Sequence, residues 1–261
     1  MTAIIPFDPD RFRSAAPHYF ARADYSPRLV RKVVADLALT RDDRVMDLGC
    51  GPGLLAIAFA PFVREVIAID PNTAMLEAGH EAARGRADNV HFVEGSSNDL
   101  GSDHGRFRLV VMGRSFHWMD RADTLRRLAT IVEPDGAVAF FDVKTIHEGA
   151  GHWQRRFDEI LERYAPDKPE WRSPEWIDQT AILIESAFAR IDGLSVVDRV
   201  AFPANQLVDR AFSMSRTSPD ALGPGKAAAL ATDLKALAAE IASDGMVSEI
   251  LESHVEIARR P

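Results

Sequence analysis

The stretch Val45-Met46-Asp47-Leu48-Gly49-Cys50-Gly51-Pro52-Gly53 delivers an apolar run into three glycines spaced every second residue. Glycine lets a backbone turn tightly and lets a ligand approach where a Cβ would stand. A helix starting at such a turn offers free N–H groups and a partial positive charge. Twenty-one residues after Gly49, Asp70 ends the next apolar run. A carboxylate there suits the two hydroxyls of a ribose. Asp47 sits just before the glycines, where it would repel a pyrophosphate and attract an ammonium. The loop is also one residue tighter than the G-x-G-x-x-G spacing of dinucleotide sites. An ordinary tight strand-to-helix turn would share the glycines but would not require Asp70.

Positioning these residues takes a particular frame. Arg28–Leu39 carries apolar residues at helical spacing, as do Leu54–Phe62, Thr73–Arg84 and Arg121–Val132, the last with Asp120 as its cap. Short apolar runs at Arg44–Leu48, Glu65–Ile69, Val90–Glu94, Phe107–Met112 and Ala137–Val143 read as buried strands, and Pro134-Asp135-Gly136 as a turn. Alternating strands and helices demand an α/β fold, a Rossmann-like doubly wound sheet, mostly parallel. Ligands then sit beyond the carboxyl ends of the strands. The second half predicts helices at Trp153–Tyr164, Pro174–Ala189, Gln206–Met214 and Lys226–Ala242. It also predicts strands at Leu194–Phe202 and Ser248–Ala258, the last one antiparallel. The expected organisation is one domain over 1–261. Residues 28–145 form its cofactor-binding core, and 146–193 and 203–246 are helical cap insertions.

A cofactor with a ribose, an amino-acid tail and no phosphate fits the loop better than NAD, and S-adenosylmethionine has that constitution. The same residues resemble the signature of class I S-adenosylmethionine-dependent methyltransferases, close to the group called methyltransferase type 11. The resemblance runs over roughly residues 19–145, through Ala68-Ile69-Asp70-Pro71-Asn72 with Met75, Glu94 to Leu100, Ser115-Phe116-His117-Trp118-Met119-Asp120 and Pro134-Asp135-Gly136. It implies that Gly49 and Gly51 hold the methionine moiety, with Asp47 near its ammonium. Asp70 would bind the ribose, flanked by Pro71, Asn72 and Met75. Ser96, Ser97 and Asn98 would meet the adenine. Gly113, Arg114 and Ser115 would line the methionine side, the Arg114 guanidinium facing the cofactor carboxylate or an acidic substrate. Tyr19–Tyr25 resembles an element that folds over the cofactor, bringing Arg22 and Tyr25 to it. Ala23 and Asp24 depart from that element's pattern, and Ser96 stands where an Asp is common.

Methyl transfer from a sulfonium is an in-line displacement with a good leaving group, so alignment is the main task. A base is needed only when the nucleophile arrives protonated. His117 is the candidate general base by type and place. With Trp118 and Arg216 it is also a candidate for contacting the acceptor. His147 and His152 fall in a polar segment, and Trp153, Trp171 and Trp176 read as packing anchors of the cap. Cys50 reads as a small turn residue. Asp99, Asp103 and Asp142 make no metal constellation, so no metal is expected.

The chain's 261 residues carry 31 basic and 39 acidic side chains, a net charge of −8. That disfavours nucleic acid as a partner and an anionic membrane surface as well. A single cysteine and no leader-like N-terminus point to the cytoplasm. The expected function is a methyltransferase acting at O, N or C of a small-molecule acceptor, as a monomer or homodimer. The alternatives are an NAD-type Rossmann oxidoreductase and a non-catalytic S-adenosylmethionine-binding regulator.

Overall fold

The computed structural model describes residues 8–146, 152–167 and 176–261. Among them, β1 (Arg44–Leu48), β2 (Glu65–Asp70), β3 (Val90–Glu94), β4 (Phe107–Gly113), β5 (Val132–Ile146), β6 (Arg190–Pro203) and β7 (Met246–Arg259) form one sheet, ordered β3-β2-β1-β4-β5-β7-β6. β1 to β5 pair in parallel. β7 runs antiparallel to both β5 and β6. This is the doubly wound, mostly parallel sheet that the alternation predicts, closed by an antiparallel last strand. Strand order reverses between β1 and β4, which opens a crevice at their carboxyl ends.

Helices α1 (Pro27–Asp36), α2 (Leu54–Phe59) and α3 (Thr73–Ala83) cover one face of the sheet, and α4 (Arg121–Ile131) and α6 (Gln179–Ile184) the other. α1 starts because Ser26 Oγ accepts the Arg28 N–H (3.3 Å) and Pro27 tolerates the first turn. Its Leu29, Val30 and Val33 are fully buried. Burial of each contributes about 1.5–3 kcal/mol relative to exposure. Side chains of β1 alternate between faces, so Val45 joins the α1–α2 side while Met46 and Leu48 join the α4 side.

Beyond the carboxyl end of β5 lies a second layer with its own core. There α5 (Trp153–Tyr164), α7 (Gln206–Phe212) and α8 (Pro219–Ile241) pack Phe157, Leu207, Leu230 and Leu234 against Phe202 of β6 and Val247 of β7. The Trp153 indole N–H donates to the Ser248 carbonyl (2.9 Å), which makes that residue a packing anchor. Arg210 of α7 pairs with Glu249 of β7 at 2.8 Å, both side chains buried.

The N-terminal segment crosses between the two layers. Its 3-10 turns, Arg13–Ala21, receive the Arg210 Nε–H at the Ala21 carbonyl (3.2 Å). His18 meets Asp209 at 2.8 Å. At the other end, Asn72 Nδ2 donates to the Pro9 carbonyl (2.6 Å). The segment thus ties the cap to the start of α3.

Four local expectations are corrected. Pro134-Asp135-Gly136 is not a free turn but a bulge inside β5, where the register against β4 shifts between Phe107 and Leu109. A Cβ on Gly136 would stand 2.8 Å from the Arg108 carbonyl oxygen, so the bulge needs glycine there. Within the helix expected over Pro174–Ala189, the described part is only Gln179–Ile184. The chain then enters β6 at Arg190, where Asp192 pairs with Arg259 of β7 (2.6 Å). The sheet therefore claims residues 190–193, which the sequence assigns to a cap insertion. α8 begins at Pro219 rather than Lys226 and kinks at Gly223, whose φ of 73° breaks the helix just before Pro224. His147 and Trp171 lie outside the described residues. No helix among the described residues is long and apolar enough to cross a membrane.

Candidate functional site

A cavity of about 1040 Å³ opens at the carboxyl ends of β1, β2 and β4 and extends under the cap. That exceeds the roughly 300–1,000 Å³ of single-ligand pockets and leaves room for a nucleoside-sized molecule beside a smaller one.

The glycine loop is built against the end of β2. The Gly49 and Cys50 N–H groups both donate to the Ile69 carbonyl (2.8 and 2.9 Å). Gly49, Gly51 and Gly53 have φ of 68°, 54° and 77°, a region that side chains disfavour. A Cβ on Gly49 would stand 2.6 Å from the Ser115 Cβ. Ser115 in turn donates its hydroxyl to the Leu48 carbonyl (2.8 Å), which locks β4's exit to β1's. Cys50 is buried, and burial pushes its thiol well above the ordinary range, as befits a turn residue rather than a nucleophile.

Asp70 accepts one backbone N–H at each oxygen, from Gly51 at 2.8 Å and from Asn72 at 2.9 Å. Burial nonetheless raises its pKa above the usual carboxylate value. Its carboxylate borders the cavity with lone pairs to spare, so it can still accept hydroxyls. Next to it, the Asn72 amide is largely committed. Its oxygen caps α3 by accepting the Met75 N–H (3.0 Å), and its nitrogen holds Pro9. Ser96 caps the 3-10 turn Ser97–Asp99, and Asp99 Oδ2 accepts both the Ser96 N–H and its hydroxyl (2.8 Å each). Ser96, Ser97 and Asn98 border the cavity opposite Met75.

Across the cavity, Arg114 sits at φ 55°, half-buried. Its Nε donates to the Tyr25 hydroxyl (3.1 Å) and one terminal nitrogen to the Ala23 carbonyl (3.4 Å). The other terminal nitrogen, Nη2, is shielded from solvent and makes no hydrogen bond. An unpaired cationic N–H is costly, and a carboxylate is its natural partner. Arg22 also borders the cavity, donating to the Tyr19 hydroxyl (3.0 Å).

Two residues expected at the ligand stand behind the wall. Asp47 faces α2, because it shares the β1 face of Val45, and its Oδ2 accepts the Ala56 N–H (2.9 Å). Burial, together with the nearby Asp70 charge, pushes its carboxyl up to about 7. Tyr25 is buried edge-on against Phe141 and supports Arg114 from the rear.

His117 and Trp118 line the cavity, their rings 4.7 Å apart. Phe12 packs edge-on to Trp118 at 5.7 Å, which brings the N-terminal segment over this end. Burial, then the neighbouring guanidinium groups of Arg22, Arg121 and Arg11, lower the His117 pKa to about 4. Its imidazole is therefore neutral at pH 7. Arg216 reaches the cavity and donates to the Ala165 carbonyl (3.3 Å). His152 caps nothing by its side chain and does not line the cavity.

A further wall of the cavity comes from residues with no signature in the sequence. Asp142 of β5 opposes His254 of β7, and Phe140 opposes Glu256, so the antiparallel register brings four cavity-lining side chains together. Gln179 and Thr180 of α6 hold the Glu256 carboxylate at 2.6 and 3.2 Å. Trp176, read as a packing anchor, also borders the cavity, as does the buried Arg121. The alternating character of Ser248–Ala258 was the only signal available, and it does not identify a pairing partner.

A family model described as a methyltransferase domain matches residues 45–136. The probable S-adenosylmethionine-dependent methyltransferase CRG1 of Saccharomyces cerevisiae is 32% identical over 134 residues, covering 50% of this chain and 45% of its own. The uncharacterized methyltransferase YcgJ of Bacillus subtilis is 29% identical over 168 residues, 64% of this chain and 57% of its own. The chain thus spans about half the length of the curated relatives it matches. Among solved structures, a SAM-dependent methyltransferase from Thiobacillus denitrificans in complex with S-adenosyl-L-homocysteine superposes with a TM-score of 0.53. It covers 99% of this chain and 100% of its own at 17% identity, a likeness of fold.

Proposed function

We propose, from the match of residues 45–136 to a methyltransferase-domain model, that the protein is an S-adenosylmethionine-dependent methyltransferase that transfers a methyl group to O, N or C of a small-molecule acceptor. The observation that carries this reading is that Asp70, with lone pairs to spare, and Arg114, whose Nη2 has no hydrogen-bond partner, line the same cavity. A ribose diol at one end and an α-carboxylate at the other match that pair. The Thiobacillus denitrificans relative binds S-adenosyl-L-homocysteine within the same fold.

In this reading Asp70 accepts the ribose hydroxyls, Ser97 and Asn98 border the adenine, and Gly51 admits the ligand close to the backbone. Arg114, braced by Tyr25, takes the carboxylate. Asp47 acts behind the wall on α2 and so supports the loop instead of touching the ammonium directly. When bound, S-adenosylmethionine supplies an electrophilic methyl group on a sulfonium. The protein's remaining task is to hold an acceptor atom in line with it and to exclude water, which the N-terminal segment and cap favour by covering the cavity.

His117 serves this site as a neutral hydrogen-bonding group that orients the acceptor. An imidazole titrating near 4 has little driving force to take a proton from a phenol or an ammonium. The pH–rate profile for methyl transfer should accordingly show no inflection near 6.5 that depends on His117. An inflection there that disappears in His117→Gln would make the residue a general base after all.

The acidic balance supports a metabolite rather than RNA as acceptor, and the single buried cysteine fits a reducing compartment, the cytoplasm. Titration calorimetry with S-adenosylhomocysteine and NAD tests the cofactor. Binding of S-adenosylhomocysteine alone is expected, and binding of NAD alone would overturn the reading. Transfer of a labelled methyl group to small molecules of a cell extract tests turnover and separates an enzyme from a non-catalytic binder.

A further inference from the structure

Arg121 is the first residue of α4, a position where arginine is ordinarily solvated. Here it is only 5% exposed and lines the cavity. One terminal nitrogen donates to the Ile177 carbonyl (2.7 Å), and the guanidinium carbon lies 3.9 Å from the centre of the Trp176 ring. Nη2 is shielded from solvent and has no hydrogen-bond partner. No carboxylate among the described residues comes within ion-pair distance of it. Asp178 acts on it through its charge without an ion pair, its carboxylate capping α6 through the Thr180 N–H (2.8 Å), while Asp120 caps α4 through the Asp123 N–H (3.0 Å) and Glu256 is held by Gln179 and Thr180.

A buried cation stacked on an aromatic ring, with one fork nitrogen unused, is an arrangement suited to receive a carboxylate. Arg114 shows the same pattern, but it belongs to the cofactor end of the cavity. Arg121 comes after Phe116-His117-Trp118 and packs against the residues that lead into α6. We propose that the methyl acceptor carries a carboxylate and that Arg121, backed by Trp176, is the residue that selects it. This deepens the methyltransferase reading and rests on it.

The test uses the full chain saturated with S-adenosylhomocysteine and three matched probe pairs: benzoate and benzamide, phenylacetate and phenylacetamide, glutarate and glutaramide. Calorimetry should show at least one acid binding about tenfold or more tightly than its amide, as expected for a charge-assisted contact. Arg121→Met should erase that preference while leaving S-adenosylhomocysteine affinity unchanged. Arg121→Lys, which keeps the charge and loses the fork, should retain part of it. Amides that match their acids in every pair, or a preference that survives Arg121→Met, would overturn the assignment with the cofactor reading intact. If S-adenosylhomocysteine fails to bind the parent protein, the methyltransferase reading falls first and the acceptor assignment with it.

Discussion

At pH 8, Asp47→Asn should make the ligand-free protein more stable than its parent by about 4 kcal/mol, a gain that should vanish near pH 4. Asp47 is buried, with its folded pKa near 7 against an ordinary value of 3.8. Between those values the folded chain holds a proton that the unfolded chain has released, so stability falls as pH rises. Asparagine keeps an oxygen for the Ala56 N–H and carries no charge at any pH. The parent's own curve does not reveal this effect. His117, with its pKa lowered to about 4, binds its proton more weakly when folded and contributes the opposite slope from about pH 4 to 6.5. The informative quantity is the difference between variant and parent in urea unfolding across pH 4 to 8. Parallel curves would show that Asp47 is ionised at ordinary cost and that burial does not dominate its titration.

Asp70→Ala should weaken S-adenosylhomocysteine binding by about 2–3 kcal/mol, roughly 30- to 150-fold. The loss has two sources. The ribose loses a charged acceptor, and the Gly51 and Asn72 N–H groups lose the oxygens that hold the loop to β2. Asp70→Asn should fall between parent and alanine, because one of its two positions becomes an NH₂ facing a backbone N–H. Calorimetry on the three proteins checks this order. An alanine variant within threefold of the parent would mean that the ribose lies elsewhere in the cavity.

The cofactor half of the molecule was legible because its signals are local. Each strand from β1 to β5 is an apolar run, and each helix from α1 to α4 has its own spacing or cap, as with Asp120. The parallel sheet follows from their alternation. Legibility failed where a residue's role depends on which face it takes or which distant strand it meets. Asp47 looked like a ligand contact from its place before the glycines, yet strand alternation turns it toward α2. Tyr25 was expected at the cofactor and instead braces Arg114, a partner 89 positions away. The Asp142–His254 wall exists only through the β5–β7 register. Arg121 resembles any solvated helix-start arginine, and only the packing of Trp176 over it makes it a buried cation. Pro134–Gly136 carries the composition of a turn, yet Val132 before it and Ala137 after it both pair with β4, so the sheet holds it as a bulge.

The sheet order also has a consequence for how the chain is made. β6 is synthesised before β7, but its sheet partner is β7 alone, and β7 also fills the position beside β5. As the polypeptide emerges, β1 to β5 can assemble with their helices from contacts already available. β6 must wait through α7 and α8, and the outer edge of β5 stays open for the same interval. The last strand therefore closes two backbone ladders at once. Long-range pairing of this kind is slow, and unpaired edges invite association with other chains. Nascent chains stalled before Met246 should accordingly be the aggregation-prone and chaperone-dependent species, even though the β1–β5 part already has every strand it needs.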